Sequence, residues 1–207
     1  MKYLIIISTL FVIGSLVGWV IELFFRRFVS QKKWMNPGFL TGPYLPIYGF
    51  GVVVLYAVSN IPLGITSQVW GVIVRILIIG VGMTLVEFIA GLIFIKGLKI
   101  KLWDYSDRKG NIMGIICPIF SLIWLVVGSL YYFLLNPILV MGITWISENL
   151  IYTFFVGGVV GMMIVDLSYS IHLATKLKEL KEYSDIRFED FKKEFKKRVK
   201  ELKNKAD

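Results

Sequence analysis

The sequence predicts an all-α integral membrane protein that crosses a bilayer several times, and three observations support this prediction. Apolar residues make up 57% of the 207 residues, against about 45–50% in an ordinary soluble domain. They are concentrated in runs that are long enough, as helices, to cross a hydrocarbon core. The basic residues behind the net charge of +9 lie mainly between alternate runs and in the last 35 residues. This pattern excludes a typical soluble enzyme.

Five apolar runs predict five transmembrane helices. The first run is about 34 Å long as a helix, which exceeds a hydrocarbon core of about 30 Å. Arg26 and Arg27 follow it, so we expect this helix to be retained rather than cleaved as a secretory signal. Turn-forming residues after Asn60 and at Asn136-Pro137 end two later helices. The predicted helices cover residues 3–25, 47–63, 70–95, 112–135 and 150–171.

The apolar residues 138–147 leave a sixth helix open. They are too few to cross a membrane alone. They form either an interfacial segment outside the cytoplasm or a longer start to the fifth helix.

The distribution of Lys and Arg predicts the orientation, because these residues concentrate in cytoplasmic loops beside membrane helices. Four follow the first helix, five follow the third and twelve lie in residues 173–207, which accounts for 21 of the 23. Five crossings with the amino terminus outside and the carboxyl terminus inside place all 21 in the cytoplasm. Arg75 lies about 8 Å inside the third helix, so we expect it to snorkel to the interface.

Composition divides the chain into a transmembrane domain, residues 1–172, and a charged tail, residues 173–207. The tail has 12 basic and 8 acidic residues and no Pro or Gly, which predicts a cytoplasmic helix. Ser184 or Asp185 can cap it, and apolar residues then recur every three or four positions. They are Phe188, Phe191, Phe195, Val199 and Leu202. This amphipathic helix is expected to lie on an anionic leaflet, to dock on a partner or to extend into solvent.

The same composition excludes several kinds of chemistry and of partner. One cysteine, Cys117, and one histidine, His172, do not form a Cys-rich or multi-histidine site, so we expect no metal and no cofactor. We assign no catalytic residue. The acids of the tail dilute its positive field, so we expect no nucleic-acid partner.

Three acids lie inside the apolar helices: Glu22, Glu87 and Asp166. An acid at the centre of a membrane helix costs about 2.5–3.5 kcal/mol, so such residues usually face protein or water and mark a functional path. Small residues recur on the same helical faces, which predicts side chains directed into a helix bundle. In the predicted orientation all three acids fall in the cytoplasmic half of the membrane.

Structural explanations compete with the functional one. Glu22 is placed to pair with Arg26 at i+4, and Asp166 is placed to make a hydrogen-bonded contact between helices. Glu87 has no basic residue within a helical turn. It is therefore the strongest functional candidate of the three.

Two loops on the predicted cytoplasmic side, where the three acids lie, contain further candidate residues of a transport path. Residues 36–51 read NPGFLTGPYLPIYGFG, and this density of Gly and Pro predicts a bent or re-entrant segment beside a cavity. The alternative is a rigid interfacial turn anchored by Phe39, Tyr44 and Tyr48. The second loop carries the sequence WDYS. The candidate path residues in these loops are Asn36, Gly38, Pro43, Tyr44, Pro46, Tyr48, Trp103, Asp104 and Asn111.

A weak internal similarity relates the first two helices to the next two. Residues 42–49, GPYLPIYG, resemble residues 114–121, GIICPIFS. Each segment begins an outward-directed helix after a basic loop that contains Trp and Asn. The similarity suggests a parallel repeat about an axis along the membrane normal, an arrangement known in transporters.

Several motifs taken together point to a known family. They are Gly18-Trp19 with Glu22, the NPGFLTGPYLPIYGFG segment, Glu87 with Gly91, WDYS, Asn111, Cys117, Ser121 and Asp166-Leu167-Ser168. With these motifs, residues 10–170 resemble the bacterial CmpB-type family of ABC-transporter type IV permeases. The resemblance implies a transport role. The sequence has neither a GxxxxGK(S/T) phosphate loop nor an EAA-like coupling segment, so ATP hydrolysis by that mechanism is excluded.

We predict a multi-pass protein of the bacterial cytoplasmic membrane that serves as a permease component for a small solute or ion. The expected partners are the lipid bilayer, a second copy of the chain and other transporter subunits, including a separate ATPase. Two alternatives stay open. One is a membrane-embedded enzyme that acts on lipid-linked substrates with paired carboxylates as acid and base. The other is an assembly or regulatory subunit whose acids hold partner helices.

Overall fold

The computed structural model describes residues 2–149 and 151–206, with all their side chains except those of residues 182, 185, 186, 189 and 194–206. Helices make up 78% of the chain, and no β-strand occurs among the described residues, which confirms the predicted all-α class. The α-helices are α1 (Lys2–Phe25), α2 (Pro46–Asn60), α3 (Gln68–Leu92), α4 (Pro118–Leu130), α5 (Asn136–Glu148) and α6 (Ile151–Ala206). Short π-helical segments continue three of them, at Arg26–Ser30, Ile93–Leu98 and Tyr131–Leu135.

Four helical segments in the described part of the chain are long and apolar enough to cross a membrane. They are Lys2–Ser30, Gln68–Leu98, Pro118–Glu148 and Ile151–Lys181. The second predicted crossing, residues 47–63, corresponds to α2, whose 15 residues span about 22 Å, less than a hydrocarbon core of about 30 Å. The number of crossings and their direction therefore stay predictions.

Reporter fusions test the predicted orientation. We expect a reporter fused after Asp207 to be cytoplasmic and one inserted near Thr66 to be extracytoplasmic, because this arrangement places nearly all Lys and Arg in the cytoplasm. Paired green fluorescent protein and alkaline phosphatase fusions measure this directly. Two fusions that report the same side would show that the predicted orientation is wrong.

The fourth predicted helix, residues 112–135, has both boundaries wrong. The helix begins at Pro118, because Met113 and Gly114 adopt positive φ and a bridge joins Ile112 to Ile116. It then continues without a turn through Asn136 and Pro137 to Glu148. Residues 138–147 thus continue the fourth helix, so the interpretation as a longer start to the fifth helix was wrong, and their placement at the interface stays a prediction.

The π-helical segment Tyr131–Leu135 explains how the helix passes Pro137. A proline removes one backbone donor and crowds the carbonyl four residues earlier, which kinks or ends a regular helix. A π-helical turn is wider than an α-helical one and is a known site of such adjustments. The segment ends two residues before Pro137, so the helix is distorted there and not broken.

The tail continues α6 and does not begin a new helix. The prediction that Ser184 or Asp185 caps a separate helix was wrong, because α6 runs unbroken over Ile151–Ala206. No Gly or Pro follows Gly161, and Lys and Glu favour helix. Phe188 and Phe191 are exposed. The other predicted stripe residues, Phe195, Val199 and Leu202, have side chains outside the described set.

Contacts divide the chain into two compact units, Met1–Leu167 and Ser168–Asp207. The first contains most of the helices and all three acids. The predicted domain boundary, after residue 172, lies a few residues later and stays a prediction.

α1 and α2 form an antiparallel hairpin whose contact depends on small residues. Gly14 and Gly18 of α1 face Val52 and Tyr48 of α2, and a Cβ added at Gly18 would overlap the Tyr48 side chain. Gly49 of α2 approaches the α1 backbone in the same way. Glycines let two helices pack closely in a membrane. The close packing of the two helices brings the Tyr48 side chain of α2 to Glu22, near the end of α1.

α3 and α4 form a second hairpin with similar contacts. Gly80 of α3 faces Leu125 of α4, and the Thr84 hydroxyl donates to the Ser121 hydroxyl at 3.1 Å. α2 packs against this hairpin. The buried cluster between them consists of Leu55, Ile79, Met83 and Tyr131.

Arg75 is bonded to the end of α2 and does not simply snorkel as expected. Its Nε donates to the Val58 carbonyl at 3.1 Å, and its Nη2 donates to the Ile61 carbonyl at 2.7 Å. Helix-end carbonyls carry partial negative charge, so a cation is favourable there. Nη1 donates to the Tyr132 hydroxyl at 3.2 Å.

Candidate functional site

Asp166 of α6 holds the loop between α1 and α2. One carboxylate oxygen accepts hydrogen bonds from the Thr41 amide at 3.1 Å and hydroxyl at 2.6 Å. The other accepts from the Gly42 amide at 2.8 Å and the Tyr44 hydroxyl at 2.7 Å. Leu40 and Tyr44 also form a buried cluster with an α6 residue, Met163. Because hydrogen bonds to a charged acceptor are the stronger kind, Asp166 is the main polar attachment of this loop to α6.

Asn36 fixes the shape of the same loop from within. Its side-chain amide donates to the carbonyls of Leu40 at 2.8 Å and Thr41 at 3.0 Å. Its oxygen accepts from the Gly38 amide at 3.2 Å and from the Trp19 indole at 2.8 Å. The amide thus uses its full hydrogen-bonding capacity, which folds the segment back on itself and ties it to α1.

The two prolines of the candidate path stand where the loop becomes helix. Pro43 is exposed, whereas Pro46 occupies the start of α2, where its missing N–H removes no helical hydrogen bond. The Leu45 amide between them donates to the Ser15 carbonyl of α1 at 2.9 Å. The predicted irregular segment is confirmed for residues 36–45, and a helix follows directly.

Glu22 closes the polar end of the first hairpin. It accepts from Arg26 Nε at 3.0 Å, which confirms the predicted i+4 pair, and from the Tyr48 hydroxyl at 2.9 Å. The charge of Glu22 is therefore compensated within its own helix. Tyr48, the residue that bonds Glu22, also lies within electrostatic range of Glu87.

Glu87 occupies the corresponding place in the second hairpin, and only 6% of it is exposed. One oxygen accepts from the Tyr105 hydroxyl at 3.0 Å and the other from Trp124 Nε1 at 3.0 Å. Both donors are neutral. In the described part of the chain, Glu87 forms no ion pair with a basic side chain, so its charge lacks the compensation that Arg26 gives Glu22.

A tyrosine hydroxyl bonds the glutamate of each hairpin, but the tyrosine lies in the helix in the first hairpin and in the loop in the second. Tyr48 and Phe120 occupy equivalent positions, each two residues after the proline that begins its helix. Tyr48 supplies its own hydroxyl, whereas Phe120 has none. Tyr105 stacks on Phe120 with ring centroids 4.3 Å apart and supplies the hydroxyl instead. This correspondence supports the repeat that the sequence suggested.

The loop after α3 is held by local contacts. The Trp103 indole donates to the Ile115 carbonyl at 2.8 Å. Asp104 accepts from Lys101 Nζ at 2.7 Å and from the Ser106 amide at 3.0 Å. The ammonium of Lys101 and the Ser106 donors lower the pKa of Asp104 to about 2. Asp104 is therefore charged at any cellular pH and is unsuited to carry a proton.

Asn111 folds this second loop much as Asn36 folds the first. Its amide donates to the carbonyls of Ser106 at 3.2 Å and Arg108 at 2.8 Å, and its oxygen accepts from the Gly114 amide at 3.0 Å. Gly114 has φ of +67°, a conformation that favours glycine. Both loops are thus shaped by an asparagine and packed by a tryptophan.

The predicted residues therefore form two groups. Glu22, which bonds Tyr48, lies at the polar end of the first hairpin, and Glu87 lies at that of the second. Asp166, in contrast, contacts the first loop. Three partners of the acids were not predicted from the sequence: Thr41, Tyr105 and Trp124. Tyr105 lies within the WDYS motif, so the motif was a usable signal, whereas Trp124 offered none.

These features define the class of protein: an all-α membrane protein in which two helical hairpins carry carboxylates near two ordered loops. The chain belongs to the CmpB family described as "Putative ABC-transporter type IV", whose family model matches residues 9–171. No curated protein and no solved structure matches the chain.

Proposed function

We propose that this chain is the membrane component of a transport system for a small solute or ion, with Glu87 as its proton- or cation-binding site. The environment of Glu87 supports this proposal. The carboxylate is buried, and its two hydrogen-bond donors among the described residues are neutral. An ionisable group inside a membrane protein is a functional candidate by default, and Glu87 can gain or lose its charge without breaking an ion pair.

Tyr105 provides a connection between Glu87 and the loop side. A phenolic hydroxyl both donates and accepts hydrogen bonds, so it can bond either protonation state of a carboxyl group. Burial raises the pKa of Tyr105, so the hydroxyl keeps its proton. In this proposal the path runs from the second loop through Tyr105 to Glu87, and Tyr48 and Glu22 form its other wall.

The loop at residues 36–45 serves as the gate in this proposal, and Asp166 positions it. Asp166 bonds two loop amides and two loop hydroxyls, so the loop can move only when these bonds break. The remaining path residues shape the two loops. They are Asn36, Gly38, Pro43, Tyr44, Pro46, Trp103, Asp104 and Asn111.

We further propose that the protein works in the bacterial cytoplasmic membrane together with other subunits. A separate ATPase or an ion gradient would supply the energy, because the sequence has no phosphate loop. A second copy of the chain is the simplest additional subunit. The many hydrogen bonds of Asp166 favour an assembly subunit as the second candidate function, because such saturation is typical of a structural contact.

Comparison of a deletion strain with the complemented strain identifies the solute. We expect one small metabolite or ion to accumulate or to be depleted, and its labelled form to enter membrane vesicles that contain the chain with saturable kinetics. Vesicles from the deletion strain are the control. A deletion that changes only the lipid composition would contradict transport and support the enzyme alternative.

A further inference from the structure

A cavity of about 360 Å³ opens where α2 ends and α3 begins. It lies at the end of the hairpins opposite the carboxylates, since Arg75 precedes Glu87 in α3 by twelve residues, about 18 Å. Its polar lining comes from Ser67, Gln68, Arg75 and Tyr132. The transport proposal does not use this cavity.

Three hydrogen bonds hold Arg75 at the cavity and leave some of its N–H donors unused. Its three bonds go to the Val58 carbonyl, the Ile61 carbonyl and the Tyr132 hydroxyl, and its guanidinium carbon lies 5.6 Å from the centroid of the Tyr132 ring. A guanidinium has five N–H donors. Two of them therefore have no acceptor among the described residues.

The charge of Arg75 is also uncompensated. Its bonding partners are all neutral, and it forms no ion pair with a carboxylate in the described part of the chain. Lys2 and Arg75 are the two basic residues outside the basic loops and tail. A cation that is partly removed from water is costly unless an anion pairs with it.

The start of α3 adds donors at the same place. Ser67 caps this helix, and its hydroxyl accepts from the Trp70 amide at 3.5 Å. The first amides of a helix have no partner within it, and the helix dipole favours an anion there. Ser67 and Gln68 line the cavity together with Arg75. The guanidinium group and the start of α3 therefore both favour an anion in this cavity.

The depth of the cavity indicates the environment of its ligand. α2 spans about 22 Å, less than the hydrocarbon core of about 30 Å. In the predicted topology this carbonyl end, which Arg75 caps, is directed to the outer interface, where we expect Arg75 to be within reach of the lipid headgroups. The anions that are abundant at this level are lipid phosphates, and guanidinium groups bind phosphate with two parallel hydrogen bonds.

From this geometry we infer that the cavity is a phosphate-binding site, formed by Arg75 and the first turn of α3. Its ligand is a phosphate group, carried by a phospholipid headgroup or free in solution. Arg75 supplies its two remaining N–H donors and the charge. Gln68, an exposed residue of the lining, supplies a neutral side chain.

The test uses the full chain purified in a phosphate-free detergent. Native mass spectrometry measures retention of short-chain phosphatidylglycerol and of short-chain diacylglycerol, and equilibrium dialysis measures labelled inorganic phosphate. We expect phosphatidylglycerol to bind and diacylglycerol not to bind. Binding of inorganic phosphate with equal affinity would identify free phosphate as sufficient, whereas its failure to bind would identify the lipid headgroup.

Two variants make the test specific. Arg75→Gln removes the charge and is expected to weaken phosphate binding at least about tenfold, as expected for loss of a charge-assisted pair. Gln68→Glu leaves every Arg75 bond intact and places a negative charge in the lining of the cavity. A carboxylate in the first turn is compatible with the helix, so this variant remains informative if Arg75→Gln does not fold. It should weaken binding to a similar extent.

Arg108→Gln, an exposed change in the second loop, is the matched control and should bind as the unchanged chain does. The inference is overturned if neither phosphate compound binds, if diacylglycerol binds as well as phosphatidylglycerol, or if Gln68→Glu binds phosphate with unchanged affinity.

Discussion

Replacement of Asp166 by alanine is expected to release the loop at residues 36–45 from α6. The change removes four hydrogen bonds to a carboxylate, two from backbone amides and two from hydroxyls. Hydrogen bonds to charged groups contribute about 1.5–3 kcal/mol each when buried. Several of these are partly exposed, so we expect a total loss of about 2–4 kcal/mol in the free energy that holds the loop.

Cysteine labelling measures this release. Leu40, which is buried beside Tyr44 and Met163, is replaced by cysteine in a Cys117→Ala background, and its rate of reaction with a polar maleimide is followed. A loss of about 2–4 kcal/mol raises the population of open loop by about thirtyfold or more, and the labelling rate should rise with it.

Two further variants calibrate the Asp166 result. Asp166→Asn keeps one acceptor oxygen and loses the charge, so its labelling rate should be intermediate. Asp190→Ala changes an exposed acid of the same helix and should leave the rate unchanged. An unchanged rate in Asp166→Ala would show that apolar packing alone holds the loop, and the gate proposed for it would lose its positioning residue.

Replacement of Glu87 by glutamine is expected to abolish transport while the chain still inserts and folds. Glutamine has nearly the same shape as glutamate, and its amide can bond both Tyr105 and Trp124, but it does not titrate. We expect activity to fall by at least about a hundredfold, a loss typical of removing a proton-transferring group. Yield and thermal midpoint in detergent check the fold.

Neighbouring variants separate a proton path from a structural contact. Tyr105→Phe keeps the stacking on Phe120 but removes the hydroxyl, so transport should be slowed and not abolished. Asp107→Asn changes an exposed acid of the same loop and should have no effect. A structural role for Glu87 instead predicts that Glu87→Gln and Tyr105→Phe lower thermal stability and activity together.

The all-α class and the positions of the acids could be predicted because they depend on local composition. Long apolar runs specify membrane helices whatever their neighbours are, and an acid within such a run is visible by inspection. The pair of Glu22 and Arg26 also follows from helical spacing alone. For the same reason, the irregular shape of residues 36–45 follows from its Gly and Pro content.

The contact between Trp124 and Glu87 could not be predicted, because it depends on where α4 begins. A start at residue 112 is consistent with the apolar run, whereas the observed start at Pro118 depends on a tight turn at Met113 and Gly114. This turn fixes which α4 side chain meets α3, and it selects Trp124. The hydrogen bonds of Arg75 could not be predicted for a similar reason. Its acceptors, the carbonyls of Val58 and Ile61, are available because α2 ends at Asn60.

The most direct test of the central claim is the initial rate at which the identified solute enters vesicles that contain equal amounts of the unchanged chain or of Glu87→Gln. We expect saturable uptake with the unchanged chain, and with Glu87→Gln we expect uptake no faster than that of deletion-strain vesicles. Full uptake by Glu87→Gln would contradict it, and the three carboxylates would then be contacts between helices.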